Sequence, residues 1–528
     1  MSSRVLKIIR VILALLFFIF TTLIFLDFSN SIPTKSIGNI TFLQFIPSLM
    51  KFLQGFSILV AGFIVVILLT LILGRLYCST ICPLGVFQDI IIYIKRRLTR
   101  KKRFRYIKPN KLSRYSILIA STGLWLFVSS FFIILLDPYS LFGRISTTLF
   151  RPVLLTLNNL LSKFLGLFEI YSVYPVDIKS SSIGAIVFSL LALFIIIYLS
   201  LRLARIYCNL ICPVGTFLGL ISKISFFKIR MNESLCNSCG ACSAKCKAGC
   251  IDSFNKKVDH SRCIVCFNCL DSCSQNGIAF SHKKQSEVIL KSIESSFDSS
   301  KRSSLKIGGL IAIGALSESF SMAQEKVAIV DKNKKYKALI PVIREHPVTP
   351  PGSIGLENFN SNCTSCYLCV SACPTQVLQP SFLKYGLNGF MQPYMDYITS
   401  FCNFDCTVCG EVCPTKAIKP LPLEEKQLVQ MGIAEFIEDN CIVKTENTDC
   451  GACSEHCPTK AVNMKPYEGT LTIPYVTDEI CIGCGACEFA CPTEPKAIYV
   501  KTNVIHEIAE KPKSEGEIEV EATDDFPF

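Results

Sequence analysis

The chain has 528 residues, half of them hydrophobic, 29 cysteines and a formal net charge of +13. That length implies about three or four domains, and a half-apolar composition with a mean hydropathy of +0.43 excludes both a disordered chain and a purely soluble one. The charge is not a nucleic-acid signal: eleven Lys and Arg fall between Lys95 and Arg114, with no Asp or Glu from Ile90 to Leu136, and such a block between apolar runs marks the cytoplasmic face of a membrane.

Four uncharged apolar runs come first along the chain: Val11–Leu26, Phe52–Gly74, Tyr115–Leu136 and Ser180–Leu201. A transmembrane helix needs about 20 such residues, so the runs predict an α-helical membrane domain of four transmembrane helices. Arg4, Lys7 and Arg10 before the first run and the basic block after the second place both ends inside, and the chain returns to the cytoplasm after Leu201. An internal repeat lies within this unit. Gly74-Arg75-Leu76-Tyr77-Cys78-Ser79-Thr80-Ile81-Cys82-Pro83-Leu84-Gly85 recurs as Ala204-Arg205-Ile206-Tyr207-Cys208-Asn209-Leu210-Ile211-Cys212-Pro213-Val214-Gly215. Each copy follows an even-numbered helix, which gives two parallel two-helix repeats. Cys78, Cys82, Cys208 and Cys212 thereby form two membrane Cys-x3-Cys-Pro pairs, read as redox pairs. They either converge as four thiolates on one metal or cluster or cycle between dithiol and disulfide.

Cysteine density rises from Cys236. The bacterial ferredoxin run is C-x2-C-x2-C-x3-C-P, in which three thiolates hold one 4Fe–4S cluster and the fourth ligates its neighbour. Cys363, Cys366, Cys369 and Cys373 match it, as do Cys481, Cys484, Cys487 and Cys491. Cys402, Cys406, Cys409 and Cys413 match with one extra residue in the first gap, and Cys441, Cys450, Cys453 and Cys457 with a longer one. Cys263, Cys266, Cys269 and Cys273 lack the final proline, as do Cys236, Cys239, Cys242 and Cys246, with Cys250 close behind. Six such runs use 24 of the 29 cysteines. Zinc sites also use C-x2-C pairs, but they seldom string three cysteines at two-residue gaps and then add Cys-Pro.

Cross-ligation predicts the wiring of six 4Fe–4S clusters. Cys236, Cys239 and Cys242 take Cys273; Cys263, Cys266 and Cys269 take Cys246, with Cys250 as the open alternative. Cys363, Cys366 and Cys369 take Cys413, and Cys402, Cys406 and Cys409 take Cys373. Cys441, Cys450 and Cys453 take Cys491, and Cys481, Cys484 and Cys487 take Cys457. A row of cubanes with no acid, base or nucleophile pocket beside it conducts single electrons.

Between the two cysteine blocks, Ser300-Lys301-Arg302-Ser303-Ser304-Leu305-Lys306 precedes ten uncharged residues, Ile307–Leu316, and a small-residue end at Ala323. Basic start, short apolar stretch and small-residue end make a signal-like pattern, close to a twin-arginine export signal with Lys in place of the first Arg. The expected organisation is a membrane domain over 1–228, a two-cluster ferredoxin domain over 229–282, a linker and signal-like segment over 283–325, a four-cluster domain over 326–506 and an acidic disordered tail over 507–528. His260, His282, His346, His456 and His506 all lie outside the apolar runs, so no membrane haem is expected. No glycine fingerprint or P-loop supports a nucleotide or flavin.

Four helices with two Cys-x3-Cys-Pro motifs, followed by two ferredoxin runs, resemble the NapH-type quinol dehydrogenase membrane component of periplasmic nitrate reductase systems. The second half, with its signal-like segment and four runs, is similar to exported NapG/MauM-type ferredoxins, so the chain looks like a fusion of the two, with bacterial-ferredoxin-type α+β domains. It departs from that pattern in the Lys of the twin-arginine motif and in the missing prolines after Cys246 and Cys273. The resemblance implies a multi-pass protein of a bacterial inner membrane that oxidises membrane quinol. Its first ferredoxin block would be cytoplasmic and its second periplasmic. Electrons would leave to a periplasmic partner, a reductase or a c-type cytochrome, with membrane lipid and no nucleic acid among the other partners. Asp137 and Arg144, at the outer end of the third run, are the candidate quinol contacts; an Asp-Pro there also suits a turn. Two other readings keep the clusters. One is an accessory electron donor that matures or reactivates a periplasmic metalloenzyme. The other, favoured by Lys326, Lys332, Lys334, Lys335 and Lys337, is a ferredoxin:quinone oxidoreductase with both blocks cytoplasmic.

Overall fold

The computed structural model describes residues 3–29, 31–55, 61–99, 104, 106, 108, 110–127, 131–179, 181–282 and 339–511. One compact unit joins 1–283 with 340–528, and a second covers 284–339. The signal-like segment and the residues around Ala323 lie outside the described residues, as does the tail from 512.

Two of the four predicted runs are continuous helices of spanning length: α1 (Ser3–Leu26), apolar from Arg4, and Ile183–Leu203. At 1.5 Å per residue each reaches roughly 30–35 Å, enough for the hydrocarbon core. Of the other two predicted spans, the one over Phe52–Gly74 is corrected. Between α1 and them lies α2 (Thr34–Phe42); the run Phe52–Gly74 then falls into α3 (Phe45–Gly55) and α4 (Gly62–Leu73). Phe63, at the start of α4, packs along α3: its N–H donates to Ser48 Oγ at 2.9 Å and its ring meets those of Phe45 and Phe52. The chain therefore folds back here, and only Gly62, with no Cβ, lets α4 approach the Phe42 carbonyl. The run Tyr115–Leu136 is helical over both of its described parts. After α5 (Tyr77–Thr80) and α6 (Pro83–Leu98) come α7 (Lys111–Phe127) and α8 (Phe131–Leu136), one either side of 128–130.

Next come α9 (Pro138–Ile145), a π-helical turn at Ser146–Phe150, α10 (Arg151–Gly166) and the spanning-length α11 (Ile183–Leu203). A second π-helical turn, Tyr207–Ile211, leads into α12 (Pro213–Ser222). The repeat is structural as well as sequential. Gly74 and Ala204 both take positive φ, at 78° and 54°. Cys82 and Cys212 both precede a proline at the first helical position, where a missing N–H costs nothing. The two copies lock crosswise. Arg75 donates to the Cys208 carbonyl at 2.9 Å, and Arg205 donates to the Cys78 carbonyl at 2.9 Å. Arg205 also pairs with the buried Asp89 at 2.9 Å, which Arg10 of α1 and Lys247 approach as well.

The first cysteine block is closed by an antiparallel pair, Phe227–Met231 with Ile278–His282, registered Ile229 to Phe280. In the second block, short hairpins at 378–395 and 462–476 flank a longer pairing of Val429–Phe436 with Ile498–Ile508. That last strand, with Ala509 N–H donating to the Leu428 carbonyl, carries order past Glu507. The predicted start of the disordered tail is thus too early, because Val429 and Gln430 offer a pairing edge. Within the predicted 326–506 domain, Ile340 is bound to the Asn440 side chain.

The two blocks sit at opposite ends of α1 and α11. Lys7, near the start of α1, pairs with Asp271 of the first block at 2.8 Å. At its far end Phe25 packs beside Gly143, which abuts the Cys366 carbonyl of the second block. Ser182, capping the start of α11, donates to Pro380 O at 3.0 Å, while Arg205 beyond its end takes the Lys247 carbonyl. Thr147 and Arg151 both bond Ser371, at 2.9 and 3.0 Å.

Gly85 and Gly215 let the crosswise arginines pass: a methyl group at Gly85 would lie 2.7 Å from Arg205 Nη1, and one at Gly215 2.9 Å from Arg75 Nη2. Overpacking of this kind costs about 1–3 kcal/mol. G85A and G215A should each lower the melting temperature of the detergent-solubilised protein, whereas G123A, with open space around it, should not.

Candidate functional site

Four of the six cysteine runs fold alike because their backbone is forced through the left-handed region on both sides of the second cysteine. Ser238 and Gly240, Val265 and Phe267, Ser365 and Tyr367, and Gly483 and Gly485 all have φ between 50° and 81°. For β-branched Val265 this conformation is a genuine outlier, and strain of this sort persists where the surroundings over-determine it, commonly at functional sites. Alternating hand also turns successive N–H groups inward, as in an anion-binding nest. A single short helix then delivers the fourth thiol. Cys246, Cys373, Cys413 and Cys491 each cap such a helix in extended conformation.

Several of the predicted sets line common cavities. Cys441, Cys450, Cys453 and Cys491 line one small cavity. Cys236, Cys239, Cys242 and Cys273 line another. A third is walled by Cys246, Cys250, Cys263, Cys266 and Cys269. In the remaining sets burial raises the thiol pKa values, and the thiol from the exchanged run raises them further. Cys413 acts in this way on Cys363, Cys366 and Cys369, with Cys366 pushed up to about 12. Cys373 acts on Cys402, pushed up to about 11, and on Cys409. Cys457 acts on Cys481, Cys484 and Cys487. The donor sets fit 4Fe–4S clusters: soft thiols, largely buried, grouped in fours around enclosed space. A cluster in such a set supplies a one-electron carrier whose potential depends on hydrogen bonds to its sulfurs.

Those hydrogen bonds differ between the blocks. In the second block every closing cysteine is followed by Pro-Thr, and the threonine hydroxyl meets the sulfur: Thr375 at 3.6 Å, Thr415 and Thr459 at 3.7 Å, Thr493 at 3.2 Å. In the first block Cys246 and Cys273 precede Lys and Ser; Cys273 Sγ accepts from Gly277 N–H at 3.2 Å. The two halves of the second block are also joined at their thiols. Cys402 N–H donates to Cys484 O at 2.9 Å and Tyr397 Oη to Gly483 O at 2.6 Å.

Cys78, Cys82, Cys208 and Cys212 share one buried core between the two blocks. Arg75 Nη2 stands 3.7 Å from Cys78 Sγ, Arg205 Nη1 3.6 Å from Cys208 Sγ, and Gly215 N–H 3.3 Å from Cys212 Sγ. Each guanidinium thus reaches the first sulfur of its own copy, and the thiolate is the form that binds metal and exchanges disulfides. Sequence reasoning quoted Arg75 and Arg205 within the repeat without giving them a role; their equal offset before the cysteine pairs was the available signal.

Asp137 and Arg144 sit together at the α8–α9 corner, 1% and 0% exposed. Asp137 caps α9, its carboxylate accepting from Ser140 N–H at 2.8 Å and Oγ at 2.6 Å. Arg144 donates to the Ile134 and Ser140 carbonyls and lies over the Phe188 ring. The turn-forming role of the Asp-Pro step is therefore present, and neither side chain is open to a membrane-borne ligand in this conformation.

Three family models match. A 4Fe-4S binding domain matches twice, over 55–102 and 185–232, one copy on each half of the repeat. Two 4Fe-4S dicluster domains match over 362–418 and 448–494. Among curated relatives, the methylamine utilization ferredoxin-type protein MauM of Methylophilus methylotrophus is 33% identical over 142 residues, 26% of this chain and 62% of that protein. Its counterpart MauN of Paracoccus denitrificans is 27% identical over 192 residues, 36% of this chain and 53% of that protein. The chain is an iron–sulfur electron-transfer protein. An uncharacterized protein of Methanocaldococcus jannaschii is 27% identical over 230 residues, 43% of this chain and 82% of the relative. No solved structure matches. The chain thus spans 53% and 62% of the two ferredoxin-type relatives, whose names speak of methylamine utilization.

Replacing Cys413 should remove the cluster built on Cys363, Cys366 and Cys369 and spare the one on Cys402, Cys406 and Cys409. In C413A, loss of about four iron atoms together with one set of EPR signals checks this; loss of the nearer cluster instead would refute the exchange. T493V should lower the midpoint potential of the cluster served by Cys491, because a hydrogen bond to a thiolate stabilises the more negative, reduced state; an EPR-monitored redox titration reads the shift.

Proposed function

We propose that this chain oxidises a membrane quinol and conducts the electrons singly to a periplasmic redox partner, a reductase or c-type cytochrome. The observation that carries this reading is the seating of two thiol-rich blocks at opposite ends of the spanning-length helices α1 and α11, with a four-thiol core between them. A wire with both ends exposed at opposite membrane faces is what joins a lipid-soluble two-electron carrier to water-soluble one-electron chemistry. Arg114, the last residue of the basic stretch, lies against the first block and donates twice to Ser261. By the positive-inside rule this end is cytoplasmic, which makes the block from Ile340 onward periplasmic. The membrane component of nitrate reductase systems is the functional parallel suggested by the paired Cys-x3-Cys-Pro motifs.

In this reading six cysteine sets hold clusters, and Cys78, Cys82, Cys208 and Cys212 form the redox-active relay inside the membrane, aided by Arg75 and Arg205. Asp137 and Arg144 remain the proposed quinol contacts at the outer corner, and quinol would reach them by displacing their mutual packing with Ser140 and Phe188.

Anaerobically purified full-length protein should carry about 24 iron atoms, four for each set, and a quinol analogue added in detergent should reduce the clusters in steady state. About eight iron atoms would mean that the second block is not a cluster carrier. Reduction of all clusters by dithionite but none by quinol would favour the accessory electron donor. Protease added to intact spheroplasts should remove the 358–500 domain and spare the Cys236–Cys273 block. Survival of both until lysis would reverse the topology and leave a cytoplasmic ferredoxin:quinone oxidoreductase.

A further inference from the structure

One of the six cysteine sets holds five thiols. Cys250 lies four residues after the closing Cys246, and the equivalent positions after Cys273, Cys373, Cys413 and Cys457 carry Gly277, Val377, Ala417 and Ala461. Val377, Ala417 and Ala461 are buried and Gly277 has no side chain to place, so a small side chain satisfies the packing at this position and a thiol is not required by it. Cys250 is buried to 1% exposure, and it lines the same cavity as Cys246, Cys263, Cys266 and Cys269. Its Sγ is 3.5 Å from Cys246 Sγ, and it also exchanges a side-chain hydrogen bond with Cys263.

The backbone holds both thiols at the cavity. Cys246 is the extended cap of Ala241–Lys245, and the turn that follows closes through Gly249 N–H on the Cys246 carbonyl at 3.2 Å, with Gly249 at φ 59°. Cys250 is pinned from the other side. Its carbonyl accepts from Asp259 N–H at 2.9 Å, and the next residue, Ile251, pairs with Val258. A change of χ1 moves a sulfur by a few ångströms while leaving the backbone in place. Two thiols this close can therefore serve one iron in turn.

We propose that the fourth iron of the cluster carried by Cys263, Cys266 and Cys269 has two interchangeable protein ligands, Cys246 and Cys250. Exchange conserves charge and electrons: as the bond from iron to one sulfur forms, the bond to the other breaks, and the proton moves from the incoming thiol to the outgoing one. Metal sites bind the thiolate, so the outgoing sulfur leaves as a neutral thiol suited to its apolar wall of Ile251 and Ile264. Such a cluster keeps its iron when either sulfur is lost to oxidation or alkylation, a tolerance the other five sets lack.

The inference rests on a cluster being present at this set, and one variant separates the two claims. C263A should lose about four iron atoms; full retention of iron would overturn the cluster itself. With that cluster established, C246A and C250A purified anaerobically as full-length protein should each keep the wild-type iron content. The EPR spectrum of the reduced first block should change in shape in C246A without losing intensity. The double variant C246A/C250A should lose about four iron atoms, while unchanged signals from the second block show that the protein is folded. Loss of the cluster in C246A alone, loss in C250A alone, or retention in the double variant would each overturn the choice of ligands.

Discussion

Arg75 and Arg205 hold the molecule together across its internal repeat. Each guanidinium ends on the carbonyl of the other copy's first cysteine and near the sulfur of its own. Neither arginine is exposed, and a buried guanidinium is tolerable only when its donors are met. That need shapes the surroundings: Asp89 supplies the counter-charge to Arg205, Asn209 and the Ser261 carbonyl accept from Arg75 Nη1, and the same Ser261 receives Arg114 from α7. One exchange of hydrogen bonds thus holds Cys78 and Cys208, pairs the two halves, and supplies the platform on which the first cysteine block is seated.

The cysteine runs obey a different constraint, local and almost independent of the rest. Three thiols spaced by two residues can face one point only if the backbone reverses hand between them, which is why Val265, Phe267 and Tyr367 accept left-handed conformations that such residues avoid elsewhere. The run at Cys402, with a longer first gap, has slack in that gap, and Phe404, Asp405 and Thr407 show no such reversal; in the still longer gap after Cys441 the one left-handed residue is Asn447, three residues before Cys450. Regular spacing and strained backbone go together.

This difference decides what could be read from the sequence. Ligand spacing was legible because the geometry of a cluster is written into three or four neighbouring residues, and the exchanged partners followed from the same rule. The crosswise arginines span more than a hundred residues, and no local pattern announces them. Hydropathy found the apolar runs but carried no information on whether a run is one rod, so the fold-back at Phe63 onto α3 escaped it. The acidic composition from Glu507 concealed the end of the last strand, where Glu507 and Ile508 pair with Gln430 and Val429.

The contacts of α1 bear on how the chain is made. Its Lys7 pairs with Asp271, 264 residues later, and its Phe25 packs on Tyr139 and Phe142, more than a hundred residues on. Non-local contacts of this kind are slow to form, because the entropy of closing the loop precedes any reward. Until both partners are synthesised, the two ends of α1 lack their docking surfaces, and an arrested chain would present those ends to whatever else the membrane contains. Docking of α1 is therefore a late event, set by the order of translation as much as by the strength of any one contact.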